Sequence, residues 1–324
     1  MLTTSFTRLV GCSAPIQTAP LPMIGTPDLV VAVADAGGLG MLGAPRMPPQ
    51  ILEQLIDAIR ARTDGAFGIN FLMPFLDRAC VEIAAKKARV VEFFYAEPDA
   101  ELVALGHQHG ALVSWQVGSR DEAVAAEKAG CDFVVAQGLE AGGHVRGRIG
   151  LLPLLGQVVD SVRCPVLAAG GIARPRDLAA VLAAGGAGAR LGTRFLAAKE
   201  AATHPRHLEL VLAASAEDTV YTEAFSVLWP NAPHRVLRSC IAAAERAQGD
   251  VVGETTTPIG VLPIARFSAM APNRDTTGNV EAMALYAGES VGAVTRVQAA
   301  AEIIRELVEG ATAALARAGS DIAE

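Results

Sequence analysis

Two stretches decide how this chain is read: AAGGIARPRDL at 168–178 and ARLGTRFLAAKE at 189–200. Each is a short apolar run that ends in glycine and passes into a segment of helical period. Gly170 and Gly171 let main-chain N–H groups approach an anion with no Cβ in the way. Gly192 and Thr193 stand where the next helix is expected to open, and free N–H groups and the positive end of a dipole favour negative charge there. A tight turn would explain one of the two motifs. Both together, at the ends of consecutive strands, occupy the usual phosphate position of a closed parallel barrel.

The same rhythm runs backwards to Ala14. Strands are expected near 14–18, 39–42, 67–71, 90–94, 112–116, 133–137, 166–169 and 187–191, with helices between them. TPDLVVAVADAGG has Thr26 as N-cap, Pro27 at the first helical position and Gly37 at the terminating position. SRDEAVAAEKAG pairs Ser119 with Glu122 as a capping box and ends on Gly130. Near-continuous apolar strands alternating with helices imply a parallel sheet buried on both faces. Eight such units close into a (β/α)8 TIM barrel, expected over residues 1–200. Residues 201–290 read as a smaller, mainly helical subdomain at the barrel mouth, and 291–324 as a long amphipathic helix returning to the barrel. No G-x-G-x-x-G directly follows the first strand and no P-loop signature occurs, so neither nucleotide motif is supported.

The bulk properties agree with one large core. The 324 residues are 51% hydrophobic and 19% charged, with a formal charge of −7, which excludes disorder and offers no basic stripe for a nucleic acid. The five cysteines, Cys12, Cys80, Cys131, Cys164 and Cys240, form no C-x-x-C pair and read as reduced core thiols of a cytoplasmic protein. No apolar run reaches the roughly 18 residues of a membrane span.

Reactive groups of such a barrel sit at the C-terminal strand ends. In order these are Ala19, Pro20 and Leu21, then Asn70, Gln116, Gln137, the pair Gly170 and Gly171, and the pair Gly192 and Thr193. Small and amide residues suit a flat, polar-edged, mostly neutral heterocycle. A metal would need converging carboxylates or histidines, and none is expected here. The loop AQGLEAGGHVRGRIG adds Gly142 and Gly143 immediately before His144. That places an imidazole on a flexible turn over the mouth, where it can act as acid, base or hydrogen-bond donor. Glu140 either orients this loop or caps it. His204 and His207 are expected at the surface, and Trp115 is expected to face outward into the helical layer.

AQGLEAGGHVRG, AAGGI, RLGTRFLAAKE, the opening APIQTAPL with ADAGGLGMLG, and the later WPNAPHRVLR and ALYAGESVGAVTRVQAAAEII together resemble the nitronate monooxygenase family, over nearly the whole chain. The resemblance implies an FMN-bound barrel that oxidises alkyl nitronates with O2. It makes Asn70, Gln137, Gly142, Gly171, Gly192 and Thr193 FMN contacts and His144 the catalytic histidine. Thr18 and Leu21 stand where the family often has Gln and Met, and Glu289 where it often has Gln. The same scaffold occurs in flavin-dependent enoyl-acyl-carrier-protein reductases and NADH:quinone reductases, and a phosphate-ligand-binding barrel without turnover is a further alternative. Arg146, Arg148, Arg174 and Arg176 near the rim are the one hint of a dock for an acidic carrier. Nitronate and O2 are the implied small-molecule partners, and a homo-oligomer is left open.

Overall fold

The structure, a computed structural model, describes residues 2–257 and 260–323. Eight parallel strands form its centre: β1 (Ile16–Thr18), β2 (Gly40–Gly43), β3 (Phe67–Leu72), β4 (Val90–Phe94), β5 (Leu112–Val117), β6 (Phe133–Gln137), β8 (Val166–Ala169) and β9 (Gly188–Leu191). The intervening β7 (Gly143–His144) lies outside this set. The strand order β1-β9-β8-β6-β5-β4-β3-β2 is circular, because Gln17 also bridges Leu39 in parallel and the Leu39 N–H donates to the Ile16 carbonyl at 2.9 Å. The sheet is therefore a closed (β/α)8 barrel.

Helices α2 (Pro27–Asp35), α3 (Pro49–Arg60), α4 (Arg78–Lys87), α5 (Ala100–Gln108), α6 (Arg120–Ala129), α7 (Leu151–Val159) and α8 (Pro175–Ala183) surround it, and α1 (Ser5–Val10) precedes the first strand. Thr26 Oγ accepts the Leu29 N–H, and Gly37 and Gly130 take the left-handed φ of +84° and +99° that terminating glycines supply. The capping box at α6 is only half formed. Ser119 Oγ accepts the Glu122 N–H, but the Glu122 carboxylate accepts from Gly118 N at 2.7 Å and pairs with Arg146, which outcompetes the neutral amide of Ser119.

Inward and outward residues alternate along each strand. Trp115 points into the helix layer, fully buried, with Nε1 donating to the Ala96 carbonyl at 3.0 Å. Inside the barrel, Met41, Val90, Phe133, Val135 and Leu167 make an apolar floor plugged by Phe6 and Val10 of α1. Above it lies a polar layer. Arg190 pairs with Glu92, both side chains at most 3% exposed. Glu92 also accepts from Asn70 at 2.9 Å and Ser114 at 3.1 Å, while Arg190 donates to Gln17 at 3.0 Å and to Gln116. Burial pulls the Arg190 pKa down and Glu92 opposes that pull.

After the barrel come α9 (Pro205–Ala213), β10 (Thr219–Thr222), β11 (His234–Leu237), α10 (Arg238–Arg246), β12 (Val251–Thr257), β13 (Gly260–Ala265) and β14 (Thr276–Gly278). The 201–290 segment, expected to be mainly helical, thus carries two three-stranded antiparallel sheets beside its helices, ordered β10-β11-β7 and β13-β12-β14. Its Gly/Thr-rich stretch is a hairpin, because Thr side chains favour a pleated surface and Gly253 lets β14 approach to where a Cβ would lie 2.1 Å from the Thr277 carbonyl oxygen. Pro258 and Ile259 of that stretch lie outside the described residues. Finally α11 (Ala300–Ala323) packs on α8 and α2. Among the described residues no helix is long and apolar enough to cross a membrane.

His207, expected at the surface, is fully buried on α9, and neither ring nitrogen has a hydrogen-bond partner. Burial lowers its pKa to about 4. The folded state therefore holds it neutral while the unfolded chain takes up a proton below its ordinary pKa, so its contribution to stability is present above about pH 6.5 and is lost as pH falls toward 4. His207→Leu should flatten the fall in melting temperature between those two pH values. The buried pair gives a second expectation. Glu92→Ala leaves an unpaired guanidinium and should lower the unfolding free energy by about 3–5 kcal/mol, and the double replacement Glu92→Leu with Arg190→Met should fail to recover that loss in urea titrations, because Gln17, Asn70, Ser114 and Gln116 then lose the partners that satisfy them.

Candidate active site

The polar layer forms the base of a cavity of about 480 Å³ at the C-terminal ends of the barrel strands. All thirteen residues singled out from the sequence line it: Ala19, Pro20, Leu21, Asn70, Gln116, Gln137, Gly142, Gly143, His144, Gly170, Gly171, Gly192 and Thr193. The Ala19 N–H donates to the Leu191 carbonyl at 2.8 Å, which joins the first loop to the last strand. Asn70 and Gln116 are held from below by Glu92 and Arg190. Gly170 and Gly171 have successive left-handed φ values of +105° and +69°, so the turn presents main chain to the cavity. Beyond β9 the expected helix is a five-residue 3-10 turn, Thr193–Ala197. Its aligned dipole is correspondingly short, so any anion held there is held by local N–H groups rather than by a long helix.

The loop after β6 is less free than its glycines imply. Gly143 and His144 form β7 and pair with Arg235 and His234 of β11. The Val145 N–H donates to the Pro233 carbonyl at 2.9 Å, and the Glu289 N–H to the Glu140 carbonyl at 3.0 Å. A Cβ on Gly142 would lie 2.5 Å from the Gly288 nitrogen, so close packing of two backbones, rather than flexibility, requires that glycine. Glu140 caps α7: both carboxylate oxygens accept the Leu151 N–H at 2.9 Å. Gln137 donates to the His144 carbonyl at 2.9 Å and leaves its own Oε1 buried without a partner.

The His144 imidazole is enclosed by rings. Its Nε2 is buried and unpartnered, and burial, with a smaller effect from His234, lowers its pKa to about 3. It is therefore neutral at pH 7. The charged side chains in the described lining are Arg190, compensated by Glu92, and Arg46. Glu289, the carboxylate that replaces the family's frequent Gln, does not line the cavity and pairs with Arg235 at 3.0 Å. Arg146 is engaged by Glu97 and Glu122, while Arg148, Arg174 and Arg176 are exposed.

Several lining residues carried no signal in the strand-end reading. Arg190 lies inside a barrel strand. Arg46, Phe75, Leu228, Trp229, Leu262, Met270 and Tyr286 come from longer loops and from the segment after the barrel. WPNAPHRVLR marked the position of Trp229 without marking its contact. Met23, Arg46 and Leu228 hold left-handed φ values of +69°, +54° and +75°, a concentration of backbone strain at one mouth.

A sequence model of the nitronate monooxygenase family matches residues 3–80 and 75–310. The chain is 33% identical over 253 residues to the (3aS,4S,5R,7aS)-5-hydroxy-7a-methyl-1-oxo-octahydro-1H-indene-4-carboxyl-CoA dehydrogenase of Rhodococcus jostii (strain RHA1), covering 78% of this chain and 70% of that relative. In fold it matches FabK from Thermotoga maritima with a TM-score of 0.81 and 28% identity over 99% of both chains. It also matches the nitroalkane oxidase of Streptomyces ansochromogenes with a TM-score of 0.77 and 30% identity over 96% of this chain and 100% of that one. The barrel, its glycine-lined mouth and these matches lead to one conclusion: the chain belongs to the nitronate monooxygenase family and is a flavin-dependent oxidoreductase.

Proposed function

We propose that this enzyme binds FMN at the barrel mouth and oxidises alkyl nitronates with O2. The observation that carries the reading is the pair of buried, unpartnered polar atoms on the cavity wall, Gln137 Oε1 and His144 Nε2. Buried polar atoms without a partner are costly, so a wall that keeps two of them fits a polar-edged ligand that supplies the missing bonds. The glycine turns at 170–171 and 192 suit the phosphate end, where backbone approach is closest. Asn70, Gln116 and Gln137 suit the edge of the ring system.

The flavin, when bound, supplies two-electron oxidation of a carbanion-like substrate and reaction with O2. The chain's own part is positional and electrostatic. Its polar layer fixes Asn70 and Gln116 from below. The apolar wall of Pro22, Met47, Ile51, Phe75 and Leu262 excludes water from the substrate side. A neutral His144 places no positive charge there and offers a ring nitrogen to the substrate. A base with so low a pKa removes a proton from a neutral nitroalkane slowly, so the preformed nitronate anion is the better substrate.

The extent of that apolar wall favours one second reading, a flavin dehydrogenase or reductase acting on an acyl thioester, in keeping with the Rhodococcus relative named for a carboxyl-CoA substrate. Anaerobic mixing with an alkyl nitronate and, separately, with NADH distinguishes the two: bleaching of the flavin bands by the nitronate is expected. Bleaching by NADH alone would move the assignment to the reductase.

His144→Ala should keep its yellow colour and lose about 10–100-fold in nitronate turnover, the loss of one hydrogen bond to a charged substrate; full turnover in that variant would exclude the assigned role. Gly171→Ala places a Cβ on left-handed backbone at a cost of about 1–2 kcal/mol, and should lower the flavin retained after desalting while the protein remains folded.

A further inference from the structure

One large side chain at the mouth has no part in that mechanism. The Trp229 indole lies flat on the His144 imidazole, with ring centroids 3.9 Å apart and planes 25° from parallel. Tyr95 and Phe75 pack edge-on against the same indole at 4.7 and 5.1 Å. Phe75 carries the Arg46 guanidinium 4.0 Å above its ring, and Nη2 of that guanidinium donates to the Leu228 carbonyl at 3.0 Å. A brace therefore runs from the loop after β2 to the residue preceding Trp229, and it bears on the left-handed backbone of Leu228.

The stack is the contact able to set the imidazole's ring plane. Pairing with β11 fixes the His144 main chain, and Gln137 bonds the His144 carbonyl rather than the ring. The neighbouring polar rings have bonds elsewhere. His234, at 5.2 Å, uses Nδ1 on the Ala232 carbonyl and Nε2 on the Phe225 N–H, while the Tyr286 hydroxyl, whose ring is at 5.6 Å, donates to the Ala269 carbonyl. Tyr95 meets the imidazole edge-on at 6.1 Å. The charges on adjoining positions are engaged as well: Arg146 by Glu97 and Glu122, and Arg235 by Glu289. Glu223 acts on His234 and Tyr95, whereas burial and His234 are what act on the His144 ring.

We propose that Trp229 is a positioning residue, whose indole face, steadied by the Arg46–Phe75 brace, sets the plane of the His144 imidazole and with it the direction of the buried, unpartnered Nε2 at the cavity wall. The assignment rests on the reading of His144 given above. It also accounts for the ring's neutrality: a flat indole covers one imidazole face, and removal of water from that face disfavours the charged form.

The test compares Trp229→Phe, which retains a stacking face, with Trp229→Leu, which has no flat face and, being smaller than the indole, leaves part of the imidazole open to water. Ring-nitrogen NMR on the as-purified protein, with the His144 signal assigned by its loss in His144→Asn, reads the ring without substrate. The titration midpoint in Trp229→Phe should match that of the wild type, whereas in Trp229→Leu it should lie at least about one pH unit higher. Turnover of ethylnitronate should fall at least about tenfold in Trp229→Leu, mainly in kcat, and stay within about threefold in Trp229→Phe. An unchanged titration and kcat in Trp229→Leu, or a Phe variant as impaired as the Leu variant, would overturn the proposal. If Trp229→Leu does not fold, Arg46→Gln loosens the surface end of the brace and should shift the titration in the same direction; no shift overturns the brace. Failure of the His144 reading is separately visible as full turnover in His144→Ala, since the NMR titration does not depend on activity.

Discussion

A guanidinium and a carboxylate buried inside a closed barrel constrain everything above and below them. Arg190 and Glu92 cannot be left without water unless their remaining hydrogen-bonding capacity is met, and five strands contribute to meeting it: Gln17 from β1, Asn70 from β3, Glu92 itself from β4, Ser114 and Gln116 from β5, and Arg190 from β9. The layer holds those strands in register, since a slip of one residue on any of them would turn its polar side chain out into the helices. It also divides the interior. Below it the barrel is a sealed apolar core closed by α1; above it the barrel opens as a cavity whose base is already polar and already fixed.

The mouth then takes its character from what is joined to that base. Two glycine turns expose main chain on one side, and a wall of Pro, Met, Ile and Phe side chains closes the other. The imidazole between them belongs to a loop that looks independent in sequence but is bonded along both edges by later parts of the chain, at 233–235 and at Glu289. The strained backbones of Met23, Arg46 and Leu228 are grouped around this opening, as expected where local geometry is held by its surroundings for a purpose other than stability.

Much of this was legible from local pattern. Strand runs bounded by glycine carry their own period, so all eight barrel strands and ten of the thirteen cavity residues followed from reading strand ends in order, and Gly142, Gly143 and His144 followed from the glycine-rich loop after the sixth strand. What remained hidden depends on contacts between distant segments. Glu92 in VVEFF is a lone charge whose partner stands 98 positions away, and no spacing rule joins them. Trp229 sits in a quoted motif, yet its face meets His144 only through the fold. The hairpin of β12 and β13 was obscured because a Thr- and Gly-rich composition is shared by loops and by short exposed strands. A His on a short helix among charged neighbours reads as solvated, yet His207 is fully buried where α9 packs on the turns at Val280–Ala282 and Glu289–Ala293.

The pairing of β7 with β11 has a consequence for how the enzyme comes into being. A nascent chain that has reached residue 200 already owns every barrel strand, so the cylinder and its glycine turns can assemble early. The histidine loop must wait about 35 further residues for its partner strand. The glycine turns at the strand ends can thus be in place before the histidine loop is pinned, and the cavity wall is closed later still, by residues that run on to Ser290.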